Sequence, residues 1–198
     1  MKNSNGNMVI GQSGGPTSVI NSSLAGAIIQ AKKEKNINAI YGMNYAIEGF
    51  MKAELIDLGK LSATRLRQLK DTPSSALGSS RLKLKDEHFP QVLAMLKKFN
   101  IRFFHMIGGN DSMDTINRIE KYCWKEGYNL NGVGIPKTVD NDLFGTDHTP
   151  GFPSAARFTG ARPATPSAPN SSKPPSSPKI PFTSITSSPC FRTTGPPF

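Results

Sequence analysis

Apolar residues arrive in short bursts that end at glycine, and these alternate with longer stretches whose apolar positions recur every three or four residues. Met8, Val9 and Ile10 predict a strand that stops at Gly11. From Thr17 to about Lys33, the residues Val19, Ile20, Leu24, Ala27, Ile28 and Ala31 share one helical face, with Pro16 near the start, where its missing N–H costs little. Residues 38–42 predict a second strand, 55–58 a third and 63–69 a short helix. Residues 73–80 read as a serine- and glycine-rich loop that ends in Arg81. An amphipathic helix over 89–99 carries Val92, Leu93 and Leu96. It is followed by an apolar strand over 101–107, a turn at Gly108 and Gly109, a helix over 113–127 stopped by Gly127, and a weaker strand over 130–134. Strand, glycine turn and helix in repeated order are the mark of βαβ units, so the expected class is α/β: a three-layer α/β/α arrangement around a mainly parallel sheet.

The pattern breaks at Phe158. Residues 159–198 contain ten prolines among forty residues and no periodic apolar positions. Such a segment buries too little surface to offset its ordering entropy, and the expectation is a disordered tail after a domain spanning 1–158. Lys173-Pro174-Pro175 would also suit a polyproline II ligand. The net charge of +10 is uneven: all 14 acidic residues precede residue 159, where the basic surplus is six. That surplus lies on mixed faces such as Lys32-Lys33-Glu34-Lys35, which fits a solvated surface with some attraction for anions. No basic stripe interleaved with aromatics points to nucleic acid, and no apolar run approaches membrane-spanning length. Cys123 and Cys190 lack disulfide or metal spacing, which fits a reducing, cytoplasmic setting, with Cys123 as a packing residue. His105, within an apolar strand, reads as a satisfied core histidine, and the role of His148 stays open.

Three loops carry the candidate chemistry. Residues at the carboxyl ends of neighbouring parallel strands converge on one crevice. Gly14 and Gly15 would let backbone N–H groups approach a phosphate, and a following helix would favour the anion by ~0.3–1 kcal/mol. At Gly109-Asn110-Asp111-Ser112 the residue types alone favour a helix cap from Asp111 or Ser112, worth ~1 kcal/mol, and a carboxylate that binds Mg²⁺ or repels an anion can coexist with it. The loop from Lys137 to Asp142 is the most specific. Lys137 supplies a mobile point charge, Thr138 a hydroxyl, and Asp140 and Asp142 project to one face if the segment is extended. One carboxylate can then take a substrate hydroxyl proton while the other positions a metal or a sugar. Arg81 could fork onto a phosphate, although an exposed arginine by itself is more often a plain surface residue.

Taken together, these residues resemble the phosphofructokinase family from Met8 to about Phe158, continuing through Gly145-Thr146-Asp147-His148-Thr149-Pro150-Gly151-Phe152. The resemblance implies the N-terminal lobe of that fold. It also implies phosphoryl transfer to the 1-hydroxyl of fructose 6-phosphate with Mg²⁺, in a homo-oligomer. By likeness, Asp140 is the general base, and Thr138, Val139 and Asp142 hold substrate and metal. Gly14, Arg81, Gly109 and Ser112 bind the phosphoryl donor. ATP-dependent members carry glycine where Asp111 and Lys137 stand, so the chain resembles the pyrophosphate-dependent branch. A carboxylate at 111 occupies and repels the space an α-phosphate needs, and Lys137 neutralises a small donor.

Two departures stand out. Asn110 takes the place of an aspartate that ligands metal in many relatives; it keeps an oxygen and loses the charge, which leaves Asp111 or Asp142 to compensate. The resemblance also stops at Phe158, before the family's second lobe. The sequence therefore predicts an incomplete, weakly active or inactive fragment with an out-of-frame tail. ATP-dependent transfer and a non-catalytic phosphate-binding remnant are the alternatives.

Overall fold

Alternation along the first strand dictates the layers. Met8 and Ile10 of β1 (Gly6–Gln12) pack into one apolar cluster and Val9 into another, and all three are fully buried. A strand buried on both faces needs helices on both. The computed structural model, which describes residues 5–80 and 82–161, supplies them. α1 (Ile20–Ala31) and α3 (Ala63–Asp71) cover the Met8 and Ile10 face through Ile20, Leu24, Ile28 and Leu66. α2 (Ala46–Met51), α4 (Phe89–Lys98) and α5 (Asn110–Lys125) cover the Val9 face through Phe50, Val92, Leu96, Ile116 and Ile119. Cys123 lies in this second cluster, where burial pushes its thiol up to about 11, in keeping with a packing role.

Between the layers lies a five-stranded sheet. Its other members are β2 (Ile37–Met43), β3 (Leu55–Asp57), β4 (Ile101–Gly108) and β5 (Asn131–Pro136), in the order β3-β2-β1-β4-β5. β1 pairs in parallel with β2 and β4, and β4 with β5; β3 is an antiparallel edge of three residues. The α/β three-layer expectation holds.

The structure departs from the sequence pattern at several boundaries. α1 begins at Ile20 rather than Thr17, because residues 17–19 form a turn whose carbonyls accept from Ile20 and Ser22; Pro16 therefore stands outside the helix. α5 begins at Asn110, three residues before the predicted Met113. α2 was not predicted. A last helix, α6 (Phe152–Ala161), runs through Thr159 and Gly160 into the stretch expected to be disordered. The rest of the proline-rich segment and Cys190 lie outside the described residues.

His105 also departs from expectation. It sits on the α1 side of β4, among Ala27, Ala31, Val133 and Ile135, and its buried Nδ1 has no hydrogen-bond partner. Burial lowers its pKa from 6.5 to about 4, because the charged ring would lose its hydration. Below pH 6.5 the unfolded chain takes up a proton that the folded chain refuses. The stabilising contribution is therefore complete above 6.5 and is lost as the pH falls toward 4. Urea unfolding at pH 7.5 and pH 5 should show a lower midpoint at pH 5. His105→Phe, which cannot titrate, should narrow that gap; an unchanged gap would remove His105 as a cause.

Candidate active site

The parallel register of β1, β4 and β5 brings three chain exits side by side. The Ser13 N–H donates to the Ile107 carbonyl at 2.8 Å, and the Lys137 N–H to the Gly108 carbonyl at 2.9 Å. From β1 the chain passes outward to β2 on one side, while β4 lies on the other. This reversal of strand order opens a crevice at the carboxyl ends. A cavity of about 690 Å³ lies there. Of the residues singled out from the sequence, Gly14, Gly109, Asn110, Asp111, Ser112, Lys137, Thr138, Asp140 and Asp142 line it. Val139 is half-exposed and is not part of the lining. Arg81 lies outside the described residues; its neighbours Ser80 and Leu82 form part of the wall.

The first loop turns at Gly14, whose φ of +77° would strain any side-chain-bearing residue. Lys137 then overturns one expectation. It is not a mobile charge: it is buried, and its Nζ donates to the Gly15 carbonyl. The ammonium therefore ties the third loop to the first beside Gly14 and Gly15. Burying the stem while bonding the head to a carbonyl is the arrangement that makes a buried lysine tolerable.

The second loop forms no side-chain cap. Gly109 is the N-cap of α5, and Asp111 and Ser112 occupy the second and third helical positions. Ser112 is buried against Gly108, where an added Cβ would collide with the serine hydroxyl. The Asp111 carboxylate sits in the first helical turn, where the helix dipole favours it, and lines the cavity. Asn110 acts as a donor: its Nδ2 reaches Asp142 Oδ2 at 2.8 Å. Asparagine thus supplies a partner where a second carboxylate would repel Asp142.

The third loop is not extended, so the argument that alternation alone places Asp140 and Asp142 on one face fails. Asn141 between them has φ +54°. Its side chain explains the turn. Oδ1 accepts from the Thr149 N–H at 2.8 Å and Nδ2 donates to the Asp147 carbonyl at 2.8 Å. The fully buried Thr149 hydroxyl donates to the Thr138 carbonyl at 2.5 Å, and the Asp140 N–H donates to Thr138 Oγ1 at 3.1 Å. The loop is thus laced to itself, and both carboxylates reach the cavity by a route other than extension. His148 stacks on Phe152 at 5.7 Å. Asn141 and Thr149 were not singled out beforehand. Asparagine's tolerance of positive φ was the available signal.

The phosphofructokinase family model matches residues 7–160. A pyrophosphate–fructose 6-phosphate 1-phosphotransferase from Rhodospirillum rubrum is 43% identical over 153 residues, which cover 77% of this chain and 38% of that protein. The enzyme of the same name from Xanthomonas campestris is 42% identical over 160 residues, with 78% and 38% covered. Among solved structures, the pyrophosphate-dependent phosphofructokinase from Nitrosospira multiformis superposes with a TM-score of 0.74 at 39% identity, covering 77% of this chain and 38% of that one. The chain spans about 38% of the length of these relatives.

Proposed function

The chain belongs to the phosphofructokinase family, and on that footing we propose that its cavity takes pyrophosphate and serves phosphoryl transfer to the 1-hydroxyl of fructose 6-phosphate, a glycolytic step giving fructose 1,6-bisphosphate. The observation that carries the donor choice is that Asp111 and Lys137 both line one cavity with Gly14 and Gly15. The Asp111 carboxylate repels a donor with a third phosphate, and the Lys137 ammonium compensates charge on a compact one. The cytoplasm is the compartment this reading assigns, on the strength of cysteines without disulfide spacing.

In this reading the sugar oxygen attacks a pyrophosphate phosphorus, the bridging P–O bond breaks, and inorganic phosphate leaves. Asp140 takes the hydroxyl proton. Gly14, Gly109 and Ser112 hold the donor, with Arg81 as the further expected contact. Thr138 and Asp142 orient the sugar side, and Val139, which lies off the cavity wall, has no part in it. Transfer of this kind rests on positioning and charge neutralisation.

The donor set suits Mg²⁺. Among the described residues no three acidic, histidine or cysteine side chains converge as a metal cage. Mg²⁺ in phosphoryl transfer, however, takes one or two carboxylates and completes its shell with phosphates and water. Asp142, on the cavity wall, is the residue that would hold it. Asn110 orients Asp142 through its 2.8 Å bond. When bound, the cation neutralises phosphate charge. An Asp111→Gly substitution tests the donor choice. Removing one like charge near a polyphosphate should tighten ATP binding by about tenfold, on the order of 1.4 kcal/mol, and leave pyrophosphate binding nearly unchanged. Calorimetric titration with each donor reads this, and unaltered ATP affinity would refute the role given to Asp111.

A further inference from the structure

Behind the first loop lies a polar network that the chemistry above does not use. Gln12, at the end of β1, and Asn21, in the first turn of α1, are both fully buried. Burying two carboxamides is costly unless their groups are paired. Here they are paired with each other and with one segment of chain. Gln12 Nε2 donates to Asn21 Oδ1 at 2.8 Å. Gln12 Oε1 accepts from the Ser75 hydroxyl at 2.8 Å and from the Leu77 N–H at 2.9 Å. Asn21 Oδ1 also accepts from the Ala76 N–H at 3.0 Å, and its Nδ2 donates to the Thr72 carbonyl at 2.9 Å. The two side chains therefore replace the secondary structure that residues 72–77 lack.

The same segment then grips the phosphate loop. The Ser79 hydroxyl donates to the Gly14 carbonyl at 2.5 Å. The Gly14 carbonyl and the Gly15 N–H belong to one planar trans peptide and point in opposite directions. Whatever holds the carbonyl fixes the direction of the N–H. On the other side of Gly15, Lys137 holds its carbonyl, and the next residue, Pro16, has no N–H to offer. The chain enters this turn at the positive φ of Gly14, and the two successive peptides on either side of Gly15 are each held by their carbonyl, the first by Ser79 and the second by Lys137.

We propose that Gln12, Asn21 and Ser79 are positioning residues for the phosphoryl donor: the buried pair locks segment 72–80 in place, and Ser79 uses that anchored segment to aim the Gly15 N–H. None of the three needs to touch the donor. The pair acts through Ser79, and Ser79 acts through the Gly14 carbonyl. The inference rests on the donor site proposed above and adds to it the source of the loop's rigidity. Preorganisation of this kind raises affinity because the loop's ordering has already been met in folding rather than at binding.

The test is a calorimetric titration of the 198-residue protein with Mg²⁺-pyrophosphate, alongside amide hydrogen exchange. Ser79→Ala should raise the pyrophosphate Kd about fivefold with little change in melting temperature, the effect of losing one neutral hydrogen bond. Ser79→Thr, which keeps the hydroxyl, should restore wild-type affinity. Gln12→Ala should raise Kd by more than about tenfold and speed exchange at Ala76 and Leu77. Ile28→Val, in the core below α1, serves as a control that lowers stability with Kd unchanged. If Gln12→Ala does not fold, the Ser79 pair still decides. Equal Kd for wild type, Ser79→Ala and Gln12→Ala would overturn the positioning role and leave the donor site standing. So would a Ser79→Thr variant as weak as Ser79→Ala. A wild-type protein with no saturable pyrophosphate binding would overturn the donor site, and the positioning role with it.

Discussion

On the function proposed above, an Asp140→Asn protein is expected to transfer phosphate from pyrophosphate to fructose 6-phosphate ~10²–10⁴-fold more slowly than the unsubstituted protein, while binding pyrophosphate equally well. The amide matches the carboxylate in size and keeps one acceptor oxygen, but it cannot take a proton from the attacking hydroxyl. The loop itself should survive. The contact of residue 140 that laces the loop is its backbone N–H to Thr138 Oγ1, which the substitution leaves alone. The anchoring side chain belongs to the next residue, Asn141. Rate and affinity should therefore separate. A parallel fall in pyrophosphate affinity would mean that Asp140 shapes the donor site, and the base would have to be sought elsewhere on the cavity wall.

Lys137→Met carries the second large effect. Methionine keeps most of the apolar stem that is buried here, so the packing of the side chain is largely preserved. The ammonium and its bond to the Gly15 carbonyl are lost. A charge-assisted hydrogen bond from that ammonium to the bound donor would contribute about 1.5–3 kcal/mol, so the pyrophosphate Kd should rise by roughly 10–150-fold. The first loop should also loosen, because one of its two clamps has gone. Competition binding against inorganic phosphate would show whether the loss tracks donor charge. An affinity within about twofold of wild type would place Lys137 outside the donor's reach and reduce it to a structural tie.

What could be read without coordinates follows from how local each signal is. Met8, Val9 and Ile10 and the run from 101 to 107 announce buried strands, because a parallel strand packed on both faces is apolar throughout. Loops that follow such strands must meet at one rim, so the grouping of Gly14, Asp111 and Asp140 was legible before any contact was known. The helix at Ala46–Met51 was not. Six residues, mostly apolar, are too few to show a 3.6-residue period, and Tyr45 and Ala46 enter it with positive φ, which no local rule predicts for those residue types. The burial of Lys137 depends on a carbonyl 122 positions away in the chain. Likewise Gln12 and Asn21 look like ordinary polar residues until segment 72–77 folds over them. Long-range partners decide whether a polar residue is surface, anchor or site, and spacing along the chain does not encode them.

The claim on which the rest depends is that the loops at Gly14, Asp111 and Asp140 form one anion site. An amide-resolved NMR titration with Mg²⁺-pyrophosphate tests it most directly. Gly14, Gly15, Gly109, Ser112 and Thr138 should shift together and saturate with one affinity, while residues around His105 stay still. Separate affinities for the three loops, or shifts confined to a different face of the sheet, would contradict it.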